Sequence, residues 1–140
     1  MQPSTDTSRK WWVLLSIGMG IFLSTIDGSI VNVALPTLEE KLDTSFATVQ
    51  WVVVSYLLVV TSMMLGVGRL GDMIGKKKIY MTGMVLFTSA SLLCGLAPSV
   101  GFLIAFRALQ GAGAAMMQAL GIAIITEAFP RSERGRALGI

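Results

Sequence analysis

The chain has 140 residues, 54% of them hydrophobic and 14% charged, with 11 Lys and Arg against 8 Asp and Glu for a net charge of +3. A soluble domain usually carries about 25% charged residues, so this chain is too apolar to keep its surface in water and too apolar for disorder. The lone Cys94 excludes a disulfide scaffold, and the absence of histidine argues against a zinc or iron centre. What remains is a membrane protein.

Residues 1–11 read as a polar tail carrying Arg9 and Lys10. The first apolar run, about 12–35, is too long for the roughly 7–15-residue core of a signal peptide and reads as a retained helix. A short acidic loop follows, with Lys41 against Glu39, Glu40 and Asp43. The second run covers 49–68, and the loop after it holds Arg69, Lys76, Lys77 and Lys78. The third run covers 79–97, a Pro98-Ser99 turn follows, and the fourth run covers 100–126. Beyond it lie Arg131, Arg134 and Arg136, with a fifth helix beginning near 135. Each run is close to the ~20 residues that cross a ~30 Å hydrocarbon layer as a helix. No short alternating segments suggest a barrel. The fold class expected is all-α and integral to a membrane, with four spanning helices.

Nine of the eleven Lys and Arg residues fall in alternate loops. The positive-inside rule assigns those loops, and with them the N-terminus, to the cytoplasm. The basicity is then topology rather than nucleic-acid binding. Trp11, Trp12, Trp51 and Tyr80 fall at span ends, where an interfacial aromatic belt would place them. Gly18, Gly20 and Ser24 in the first span, with Gly111, Gly113, Ala114 and Ala115 in the fourth, predict close helix approaches.

Two charges lie inside spans. Asp27 is about 12 Å and Arg107 about 10 Å from the outer ends of their helices, at 1.5 Å rise per residue. A charge at such depth costs about 2.5–3.5 kcal/mol on insertion scales, so it faces a cavity or a partner. Matching depth predicts that the two share one polar site. Arg107, Gln110, Gly111, Ala114 and Gln118 recur at helical spacing as a polar, small-residue stripe, which suits a helix lining an aqueous path. Gln110, Gly111 and Gln118 are the candidate lining residues. Glu127 falls on another face, near water. A structural ion pair is the alternative to a titrating Asp27. No nucleophile–base pair or metal set is present, so an enzyme is not expected.

The stretch from Gly68 to Lys78 closely resembles the helix 2–3 loop signature of the major facilitator superfamily, G-x-L-x-D-x-x-G-R-K. Gly68, Leu70, Asp72, Gly75 and Lys77 match, and Lys76 stands where that family often has Arg. Gly71 and Met73 depart from the usual Ala and the frequent Arg. The glycines predict a tight turn there, and Asp72 is placed to meet a helix N-terminus. Ile26 to Pro36 resembles the first-helix signature of the fourteen-helix drug:proton antiporters, with Ser29 where Thr is usual. Gln50 to Tyr56 is similar to the start of their second helix, and Arg107 to Ala115 to their fourth-helix motif R-x-x-Q-G-x-G-x-A. The segment from Phe129 to Ile140 resembles the connection into helix five.

This resemblance implies an N-terminal piece of a proton-coupled exporter of drugs or other small organic molecules, inactive alone. Asp27 and Arg107 are then the proton-coupling pair, and the 68–78 loop a conformational latch. It implies no cofactor, with a proton gradient as energy source. The expected partners are the lipid bilayer, a small organic substrate and the remainder of the transporter chain, with no nucleic acid. The alternatives are a small four-helix dimeric multidrug transporter and a non-transporting membrane anchor subunit.

Overall fold

In hydrocarbon every backbone N–H and C=O must be paired internally, and a single apolar segment does this only as a continuous helix. The computed structural model, which describes residues 7–139, follows that rule: α1 (Thr7–Lys41), α2 (Phe46–Ile74), α3 (Lys76–Gly95), α4 (Val100–Ala128) and a short α5 (Arg134–Leu138). The first four are long and apolar enough to cross a membrane. No strand is present among the described residues. Residues 1–6 and Ile140 lie outside them, while residues 7–11 of the expected tail are already helical.

The helices outrun the apolar runs because a helix that leaves the hydrocarbon keeps its own hydrogen bonds in water. α1 passes Pro36 and ends only at Lys41. The chain turns through Asp43, at a φ of 47°. Ser45 then caps α2, its hydroxyl accepting the Thr48 N–H at 3.3 Å.

The largest departure from expectation is the segment after the second span. Gly68 and Gly71 form no turn, since α2 runs straight through both to Ile74. The connection to α3 is the single residue Gly75, at φ 116° and ψ 122°, a conformation that side chains with a Cβ rarely adopt. Asp72 does not cap α3, which has no side-chain cap at its start. It lies 3.5 Å from the Lys76 ammonium instead.

α4 is the centre of the assembly. It packs along both α2 and α3 and carries the most buried residues, while α1 lies against it more sparsely. The α3–α4 approach is backbone on backbone. A Cβ at Gly113 would stand 2.6 Å from the Phe87 nitrogen and 2.8 Å from the Gly83 carbonyl oxygen, so only glycine fits. Ile17, Tyr56, Val60, Val67, Phe87, Met117 and Leu120 fill the space between the helices.

The interfacial role expected of Tyr80 is not what the fold provides. Its side chain is 4% exposed, turned inward with Gly83, Phe87 and Ala90 on the buried face of α3. Trp12 and Trp51 do face outward. Trp11 packs edge-on against Phe129 at 5.6 Å. Beside it Lys10 pairs with Glu133 at 2.5 Å, tying the start of α1 to the segment after α4.

Candidate functional site

The polar centre forms where α1, α2, α3 and α4 meet. Arg107 projects from α4 and is 2% exposed, whereas Asp27 on α1 is 23% exposed and borders open space. Arg107 Nη1 donates to Asp27 Oδ2 at 2.5 Å and to Gln110 Oε1 at 2.6 Å. Arg107 Nε donates to the Val52 carbonyl of α2 at 3.2 Å. Gln110 Nε2 donates to Asp27 Oδ1 at 2.9 Å and to Ser91 Oγ of α3 at 2.7 Å. Cys94 Sγ donates more weakly to Gln110 Oε1, at 3.8 Å. The depths read from the two helices thus correspond to direct contact. One side of the pair is sealed by protein and the other opens at the carboxylate.

Local structure explains why these groups converge. Arg107 and Gln110 are three residues apart on one helix and share a face. The phase of α2 that buries Val49, Val52, Val60 and Val67 also turns Tyr56 inward. The Tyr56 ring lies over the Arg107 guanidinium, with 4.3 Å between the guanidinium carbon and the ring centroid. The Tyr56 hydroxyl donates to the Ser24 carbonyl of α1 at 3.3 Å. A buried cation here has a carboxylate, two carbonyl-type oxygens and an aromatic face. Only Arg107 Nη2 and the Tyr80 hydroxyl lack a hydrogen-bond partner among the buried side-chain atoms of the described residues.

The other candidates separate. Gln118, two turns along α4 from Gln110 and its neighbours, reaches Ser24 Oγ at 3.4 Å and so also meets α1. Gly111 lies against α2, where a Cβ would stand 2.7 Å from the Tyr56 carbonyl oxygen. The motif residues Gly68, Leu70, Asp72, Gly75, Lys76 and Lys77 occupy the basic end. Val52 to Asp72 alone is about 30 Å along α2 at 1.5 Å per residue. There Lys76 bridges Asp72 and Glu127, joining α2, α3 and α4, while Lys77 is exposed. A concavity of about 620 Å³ lies elsewhere, on the outer face of α1 between Trp11 and Phe22. It has no charged lining and no link to the polar centre.

Tyr56 and Ser91 are members that the sequence reading did not single out, and Ser24 entered it only as a small packing residue. The signal for Tyr56 was its place on the valine stripe of α2, mid-span rather than at a membrane end. Ser91 and Ser24 carry no such signal, because hydroxyls in spans ordinarily bond their own helix, as Ser24 also does to Ile21.

Known proteins resemble the chain over nearly all of its length. The family model described as Major Facilitator Superfamily matches residues 17–140. The riboflavin transporter RibZ of Clostridioides difficile is 43% identical over 132 residues, covering 94% of this chain and 29% of that protein. The multidrug resistance protein Stp of Mycobacterium tuberculosis is 39% identical over 128 residues, covering 91% and 24%. The puromycin resistance protein pur8 of Streptomyces alboniger is 39% identical over 133 residues, covering 94% and 26%. The chain therefore spans about a quarter of the length of these curated relatives. With its four apolar helices it is a multi-pass membrane protein.

Proposed function

The chain belongs to the Major Facilitator Superfamily, and on that basis we propose that it forms the first helices of a proton-coupled secondary exporter of drugs or other small organic molecules in the cell membrane. The observation that carries the reading is the ion pair between a half-open Asp27 and a buried Arg107. When ionised, Asp27 accepts bonds from Arg107 and Gln110 and ties α1 to α4. When protonated, it loses its attraction for the guanidinium, and the tie weakens. A proton arriving from the open side can thus be converted into movement of α1 against α4. The export direction is supported by the names of the resistance proteins among the relatives.

The N-terminus is cytoplasmic in this reading. Arg9, Lys10, the lysines at 76–78 and the arginines at 131–136 share one end, and positive residues stay on the cytoplasmic side. Lys76, Asp72 and Glu127 form the latch there, with Gly75 as its joint. The polar centre, with Gln110 and Gln118, faces the transport path.

The test is Asp27→Asn in the longest in-frame chain that carries these residues. It is expected to abolish efflux driven by a pH gradient while insertion in the membrane is retained. Wild-type efflux with unchanged pH dependence would remove Asp27 as the coupling group.

A further inference from the structure

Arg107 contacts its carboxylate in an unusual way. An Arg–carboxylate pair is strongest as a fork, with two parallel N–H bonds on two oxygens. Here only Nη1 meets Asp27, at Oδ2, while Oδ1 is taken by Gln110. Nε is committed to the Val52 carbonyl, and Nη2 has no partner among the described residues. The guanidinium is held over the Tyr56 ring at 4.3 Å. Tyr56 is itself buried and anchored to α1 through the Ser24 carbonyl.

We infer that Tyr56 is a positioning residue, whose ring holds the Arg107 cation against α2 whatever the charge state of Asp27. This deepens the proton-coupling reading and rests on it. The attraction of a cation for an aromatic face does not depend on the charge state of Asp27, and it strengthens away from water. When Asp27 takes a proton, Arg107 therefore keeps a partner and stays with α2 and α4 while α1 is released. Without the ring, the guanidinium leans on Asp27 for its charge and follows α1 when the carboxylate moves. Protonation of Asp27 then meets an Arg107 in a different place. The groups facing the pair are few. α2 presents Tyr56, α3 presents Cys94 with Ser91, and α4 presents Arg107 with Gln110.

The test reads Asp27 directly and does not require transport. A hydrophobic carbodiimide, which modifies protonated carboxyls, is applied across a pH series to the longest in-frame chain in native membranes, with modification of Asp27 followed by peptide mass mapping. Tyr56→Phe keeps the ring and should hold the labelling midpoint close to wild type. Phenylalanines of increasing fluorine number at position 56 keep the shape but drain the ring face. They should displace the midpoint stepwise as the fluorine number rises. Tyr56→Leu should match the end of that series, and the fluorinated rings decide the matter if it does not insert. A midpoint indifferent to fluorine number would overturn the inference, as would an Asp27 that labels at no pH. Loss of the transport reading shows separately, as pH-driven efflux that survives Asp27→Asn beside an intact fluorine series.

Discussion

Tyr80 and Arg107 each leave a polar atom unpartnered in the interior, with different consequences. Arg107 uses three of its five donor positions, and its charge is met by Asp27 and Tyr56. The Tyr80 hydroxyl has been desolvated without compensation, next to Gly20 and Met117. Removing such a group recovers its desolvation cost, of about 1–3 kcal/mol. Tyr80→Phe is therefore expected to raise the denaturation midpoint in detergent or leave it unchanged, and a clear drop would reveal a partner for the hydroxyl. The polar centre was partly legible beforehand. Asp27, Arg107 and Gln110 stand out because apolar runs make every charge or amide conspicuous. Tyr80 did not, because an aromatic residue near a span end is read first as a belt residue, and Tyr56 entered only as part of the second-helix resemblance. Helical phase contradicts that reading for Tyr80, which lines up with Gly83, Phe87 and Ala90.

Among the helices, their existence was plain from length and hydropathy, but their ends were not. Arg69 and Asp72 mark where α2 leaves the apolar layer, and charge says nothing about whether the helix continues. The glycines likewise could not be sorted by sequence. Gly75 makes the turn and Gly113 makes a contact, while Gly68 and Gly18 have no neighbour within 4 Å of a Cβ. This gives a contrast to measure. Gly113→Ala forces a methyl into the Phe87 backbone and should destabilise the α3–α4 pair by about 1–3 kcal/mol. Gly18→Ala meets nothing and should be neutral or slightly stabilising through helix propensity. Equal effects in thermal denaturation would mean that the helices do not approach at Gly113.

In the assembly as a whole, ion pairs differ in kind from the centre to the basic end. Lys76–Glu127 is solvent-facing, whereas Asp27–Arg107 is sealed on one side. Screening shortens from about 30 Å to about 3 Å between 0.01 and 1 M salt, and acts on the exposed pair far more than on the buried one. Double-mutant cycles on the two pairs should show the Lys76–Glu127 coupling, weak at the outset, vanishing in high salt. The Asp27–Arg107 coupling should persist. If both fell together, water would reach Arg107 freely.

The separation of Asp27 from Arg107 along the chain, 80 residues, also sets a schedule for synthesis. At about 5–20 residues per second, α1 waits roughly 4–16 s for α4 to leave the ribosome. During that interval the carboxyl sits in the bilayer, or at the insertion machinery, with no counter-charge. The nascent helix must therefore be retained by its apolar length or held by another factor until α4 arrives. Stalled chains ending just before and just after α4 is exposed would report this directly. The longer chains should hold α1 in the membrane against alkaline extraction more firmly, and Arg107→Ala should erase the difference.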